Sequence, residues 1–222
     1  MSKFLGPIHI WLFNKIKTHE SLEKNILHSL EKQYGNEIPQ THEYFTNKYD
    51  DFIENKPLEE LIDTNNIHGW LQNKINIAEG RFADFVTTVL DKFPEESLNI
   101  IENEFKKQGT NCGEDAKEKY PVSTAPELFK ALNNYILDGM PCDNANNIVL
   151  QENDELQWKV INCLHKKYWE AVNGNLDVLY GLRKLWTKNF IENANDSYTY
   201  KFNLSNDILE HKIIKNRRNN NV

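Results

Sequence analysis

The sequence predicts an all-α protein: a helical bundle of about six helices with an internal helix duplication, and at most one short strand near the C-terminus. Three observations predict it. Apolar residues recur at helical spacing through long segments. Glycine and proline fall between those segments, where helix ends are expected. A nine-residue helical pattern also occurs twice within the first ninety residues.

Gly6-Pro7 opens the first helix, because the first helical position does not need the N–H that proline lacks. The helix runs to about Tyr34, where Gly35 is a natural stop. Asn36 to Gln40 contains Pro39 and reads as a loop. Glu43 to Glu54 has a moderate helical pattern, and Pro57 to Ile62 reads as a short helical turn. The second long helix starts near Asn65, a good N-cap residue type, and ends at Phe93-Pro94.

Pro94 opens a further helix to Lys107, with Glu95 and Glu96 placed to suit the helix dipole. Gln108 to Thr124 contains Gly109, Gly113 and Pro121 and reads as a loop, with a weak domain seam in it. Pro126 to Asp138 is predicted helical, and Gly139 to Asp143 a turn. A long helix is predicted from Asn153 to Val172, broken by Gly174, and a last one from Leu176 to Asn193. Tyr198 to Leu204 alternates, as a short strand or extended segment would. One helical domain is expected over 1–215, because two halves of this size would each be marginal. A disordered tail is expected at 216–222.

With 39% hydrophobic and 27% charged residues, the composition is that of a globular chain. The net charge is −7 and the pI about 5.5, whereas a nucleic-acid binder carries a basic face. The one basic cluster, Lys212, Lys215, Arg217 and Arg218, reads as a solvated end, so no nucleic-acid partner is expected. No apolar run approaches the roughly 20 residues of a membrane span. No membrane partner is expected, nor does the N-terminus resemble a signal peptide. Cys112, Cys142 and Cys163 are odd in number and far apart, which points to a reducing, cytoplasmic location.

The duplicated segments are Ile8–Ile16, IHIWLFNKI, and Ile67–Ile75, IHGWLQNKI, identical at seven of nine positions. The likeness extends to Glu20 and Glu79, each eleven residues after its histidine and close to three helical turns on. In one copy the stripe is His9, Leu12, Ile16, Glu20, Leu27. In the other it is His68, Leu71, Ile75, Glu79, Phe82, Val86. Both histidines and both glutamates thus fall on faces that should be buried, and a buried carboxylate needs a cation, a donor or a metal. The segment between the copies can hold one antiparallel helix, which favours the copies running parallel. Asn14 and Asn73 are placed where they could meet.

The predicted helix from Asn153 puts His165 on a stripe with Trp158, Ile161, Tyr168 and Val172. Arg183 lies among Leu179, Leu182, Trp186 and Phe190, with Asp177 a candidate partner. His19, His28, His42 and His211 have polar neighbours and are expected to be exposed. Cys142 reads as a turn residue and Cys163 as core filler.

The leading expectation is a buried metal centre of iron, zinc or manganese, with redox or hydrolytic chemistry. Its ligands would be His9, His68, His165, Glu20 and Glu79, with Arg183, Trp11 and Trp70 facing a substrate. Against it, Glu-x-x-His and His-x-x-x-His within one helix are both absent. One alternative is a non-catalytic structural or interaction protein whose His/Glu/Arg network only fixes packing. The other is a binder of a small-molecule ligand in a tryptophan-lined pocket.

Overall fold

The computed structural model describes residues 5–216. Its elements are α1 (Pro7–Tyr34), α2 (Glu37–Tyr49), α3 (Leu58–Leu61), α4 (Ile67–Lys92), α5 (Pro94–Lys119) and α6 (Ala125–Leu132). A 3₁₀ turn at Pro141–Asp143 precedes β1 (Asn147–Gln151) and β2 (Glu155–Val160). There follow α7 (Lys166–Glu170), α8 (Leu176–Ala194), β3 (Tyr198–Ser205) and β4 (Ile208–Lys215). The four strands form one antiparallel sheet in the order β1-β2-β4-β3. This overturns the all-α expectation: helix predominates, but the C-terminal half is built on a sheet.

The chain packs as two compact units. The first holds residues up to Glu104 together with Ile136–Asp143 and Leu164–Leu179. The second holds Phe105–Tyr135, Asn144–Cys163 and the chain from Tyr180 onward.

In the first unit α1, α2 and α4 pack on one another, and α7 packs on α4. The start of α1 follows the expected grammar. Pro7 is its first helical residue, and Gly35 ends it at φ +70° with its N–H on the Glu31 carbonyl at 2.7 Å. Asn66 caps α4, its side-chain oxygen accepting the Gly69 N–H at 3.2 Å. α1 and α4 run parallel, since His9 meets His68 near their starts and Glu20 meets Arg81 further along. Between them lies a core of Leu12, Ile16, Ile67, Leu71, Ile75 and Ala78, sealed by Ile53 and Leu58. Pro39, expected in a loop, sits in the first turn of α2, where proline is tolerated.

The second unit is a helix-backed sheet. Leu156 and Trp158 on β2, Tyr198 and Tyr200 on β3, and Leu209 and Ile213 on β4 are buried on one face. α6 packs on β2 and β4 there, Phe129 meeting Trp158 at 4.8 Å between ring centroids. The opposite face carries Lys159–Glu210 and Lys212–Glu155 ion pairs, each at 2.6 Å. Trp158, Ile161 and His165 therefore share no helical stripe, for the predicted helix at Asn153–Val172 is β2, a turn and the short α7. Leu156, Trp158 and Val160 alternate at the strand period, and that period prevails over the spacing of three and four. At the β3–β4 turn Asn206 and Asp207 both have positive φ, +50° and +61°, the geometry of the commonest two-residue hairpin.

Two further expectations are corrected. α5 continues through Gly109 and Gly113, read above as loop residues, to Lys119. Both glycines lie against the backbone of α8, and a Cβ on Gly109 would sit 2.5 Å from the Trp186 carbonyl oxygen. They are positions of close helix approach rather than breaks. Lys212 and Lys215, assigned above to a solvated end, belong to β4, and Lys215 bonds Asp154 at 2.9 Å. Asn216 is also tied down, its N–H on the Ser197 carbonyl at 2.7 Å. The rest of the expected tail, with Arg217 and Arg218, lies outside the described residues.

Candidate functional site in the first unit

The sequence-predicted residues are not gathered at one centre. All but Arg183 divide among three places in the first unit, each with its own partners.

The deepest place is an ionic cluster on α1, α2 and α4. Glu20 and Glu23 are one helical step of three apart and both face α4. Arg81, 0% exposed, lies opposite them. Its Nε donates to Glu23 Oε1 at 2.9 Å and its Nη2 to Glu23 Oε2 at 3.0 Å and Glu20 Oε1 at 3.3 Å. Its Nη1 donates to the Asp50 carbonyl at 3.0 Å, and its guanidinium lies 4.3 Å from the centre of the Phe52 ring. Glu20 also accepts the Ile53 N–H at 3.1 Å, and His42 Nε2 bonds Glu23 at 2.9 Å. The His42 ring is stacked on Phe52 and edge-on to Phe85. Burial pushes the Glu23 carboxyl up, but hydrogen bonds from His42 and then Arg81 outweigh it and hold the group below its ordinary range. For Arg81, burial works against the charge, and the hydrogen bonds and charges of Glu23 and Glu20 together more than restore it. The cluster pins the link between α2 and α3 through Asp50 and Ile53.

The second place opens to a cavity. His165, just before α7, is 5% exposed and lies between two carboxylates. Its Nδ1 is 2.9 Å from Glu79 Oε1 and its Nε2 is 3.3 Å from Asp138 Oδ1, an arrangement satisfied when both nitrogens donate. The cavity beside it, of about 210 Å³, is lined by Ile75, Asn76, Glu79, Asp143, Lys167 and Tyr168 among others. Tyr168 donates to Asn76 Oδ1 at 2.6 Å. Burial, with the charges of Glu79 and Asp143, pushes its phenol up to about 12. Asp143 accepts the Met140 N–H at 2.8 Å, which fixes the turn that starts at Gly139, φ +66°.

The third place is the paired start of α1 and α4, where His9 Nε2 and His68 Nε2 are 3.1 Å apart. His9 is 8% exposed, but His68 is exposed, so only one of the two matching histidines is directed inward. Trp11 and Trp70 are partly buried against the core, with Lys15 over the first and Lys74 over the second. Asn14 and Asn73 are both exposed and do not meet. Arg183 is half-buried on α8, within the second unit. The cavity beside His165 has no tryptophan in its lining.

These placements do not support the metal or the repeat expectation. Among the described residues no three His, Cys, Asp or Glu side chains are grouped to hold a metal ion. The physical reason is visible at His165: its two carboxylates lie at opposite ring nitrogens, so the three groups cannot converge on one point. The nine-residue match does not extend to the partners of the matching polar residues. Glu20 bonds the Ile53 N–H and Arg81, while its counterpart Glu79 turns to His165. Lys15 is buried, while Lys74 reaches Asp50 at 3.2 Å.

Glu23, Arg81, His42 and Asp138 were not singled out in the sequence. Each had a signal except Asp138. Glu23 continues the stripe from Ile16 through Glu20 to Leu30, Arg81 falls between Ala78 and Phe85 on the buried face of α4, and His42 lies between Ile38 and Phe45. His42 was expected to be exposed and is 4% exposed, because Glu23 supplies the partner that its sequence neighbours do not.

Comparison with protein-family models, with curated proteins and with solved structures finds no match.

Proposed function

We propose that this chain is a non-catalytic structural or interaction protein, in which buried charge sets how helices and their connecting segment are placed. One observation carries the reading: four of the five N–H donors of the buried Arg81 guanidinium go to Glu20, Glu23 and the Asp50 carbonyl, and the two carboxylates are bonded to groups of the fold itself. A catalytic charge is kept available to a substrate, whereas these are consumed in joining α1, α2 and α4 to residues 50–53. Removing one member of such a cluster strands the others and costs about 3–5 kcal/mol, while replacing the whole by apolar groups is often neutral. The cytosol, which keeps thiols reduced, suits three cysteines that form no disulfide among the described residues. Among the described residues no helix is long and apolar enough to cross a membrane.

The test is urea unfolding of Arg81→Met against the triple variant Arg81→Met, Glu23→Leu, Glu20→Gln. The single change is expected to destabilise strongly and the triple to recover most of the loss. The reading fails if wild-type protein turns over a substrate that an equally stable triple variant does not.

A further inference from the structure

We infer that the cavity beside His165 is a binding site for a small organic cation, a primary ammonium on a short alkyl chain. This goes beyond the packing role proposed above and uses none of the residues of the Arg81 cluster.

The cavity has an acidic side and an apolar side. Glu79, 3% exposed, and Asp143 line it, and both raise the Tyr168 phenol, so the potential at that ring is negative. Asp138 lies behind, on the far nitrogen of His165. Two carboxylates therefore flank the imidazole and a third, Asp143, lines the same cavity, where Lys167 is the other basic residue of the lining. Ile75 and Leu164 supply the apolar wall that an alkyl chain would cover.

The second observation is where Lys167 goes. Its Nζ lies 4.7 Å from the centre of the Tyr168 ring, on the wall of the cavity that Glu79 and Asp143 also line. An ammonium over an aromatic face next to carboxylates is how proteins recognise amine ligands. Here the chain places its own ammonium in that position, on a lysine whose residue is exposed and free to swing away. A ligand amine would take the same place over Tyr168, with its alkyl part along Ile75 and Leu164. An anionic ligand would meet Glu79 and Asp143 at close range, where repulsion disfavours it.

The experiment is an NMR titration of the full chain with n-butylammonium, and with butyrate as a probe of the same shape and opposite charge. Tyr168 ring protons and the Asn76 side-chain amide report on the site. Saturable shifts of both with butylammonium, and none with butyrate, are expected. Lys167→Ala removes the resident ammonium and is expected to tighten butylammonium binding several-fold. Asp143→Asn is expected to weaken it at least several-fold, with Glu79→Gln as a second variant should the 139–143 turn loosen. Equal response to butyrate, no response to butylammonium at millimolar concentration, or Lys167→Ala binding more weakly than wild type would each overturn the assignment.

Discussion

The 3.1 Å contact between His9 Nε2 and His68 Nε2 has a direction, and Gly6 sets it. The Gly6 N–H donates to His9 Nδ1 at 3.0 Å, while the His9 N–H donates back to the Gly6 carbonyl at 3.0 Å. That nitrogen of His9 is therefore an acceptor, and the ring carries its proton on Nε2. His9 then donates to His68, whose own proton must sit on Nδ1. One ring thus accepts the N–H of Gly6, the residue that caps α1, and ties it to the first turn of α4.

The matching sequence pattern predicts equal histidines, and the geometry predicts unequal ones. Two-bond ¹H–¹⁵N spectra at neutral pH are expected to show His9 as the Nε2–H tautomer and His68 as the Nδ1–H tautomer. Finding both rings in one tautomer would contradict the direction assigned to the contact.

What the sequence showed and what it hid follow from the range of the forces involved. Helix ends set by neighbours were legible: Pro7 and Gly35 act within four residues of where they stand, and the asparagine cap of α4 is Asn66, one residue beyond the Asn65 expected. That polar groups would be buried on α1 and α4 was also legible, because three- and four-residue spacing fixes a face. Their partners were not. Glu79 and His165 are 86 residues apart, and no local spacing encodes that His165 follows a strand instead of lying in a helix. The sheet was hidden for a related reason. β1 pairs only with its neighbour β2, and β2 is short and held on its other edge by β4, with Trp158 opposite His211 far along the chain.

Gly113 gives a sharp test of the misread segment. It lies inside α5, where alanine would ordinarily gain about 1 kcal/mol in helix propensity. A Cβ there would instead run into the Phe190 carbonyl oxygen and press on the Ala194 nitrogen, both backbone atoms of α8. Backbone cannot rotate away as a side chain can, and overpacking typically costs about 1–3 kcal/mol. Gly113→Ala is expected to be net destabilising in thermal or urea unfolding. A more stable Gly113→Ala would show that α5 and α8 do not approach as described.

Acid should act on the cluster through Glu23. Its folded carboxyl is held below the ordinary glutamate value of about 4.3. As pH falls, the unfolded chain takes up this proton first. The contribution of Glu23 is therefore fully present above the unfolded value and is lost as pH falls through the lower folded one. Urea midpoints measured from pH 7 down to 3 are expected to decline below about 4.3 and to decline less steeply in Glu23→Gln. Identical slopes in the two proteins would mean that His42 and Arg81 do not hold the charge.

The three thiols should differ in reactivity, and the order follows from burial. Cys112, on α5, is pushed up to about 12, chiefly by burial and further by the charge of Asp115. The thiolate is the reactive form, so at pH 8 about one Cys112 in ten thousand is competent. Cys142 is exposed, in the turn that also carries Asp143. Timed iodoacetamide labelling of the native protein at pH 8, read by peptide mass spectrometry, is expected to modify Cys142 first and leave Cys112 last. Brief pretreatment in urea should bring the Cys112 rate up to that of Cys142, since unfolding removes both the burial and the fixed Asp115. Native-state labelling of Cys112 at the rate of Cys142 would mean that this stretch of α5 is open to solvent, contrary to its packing against α8.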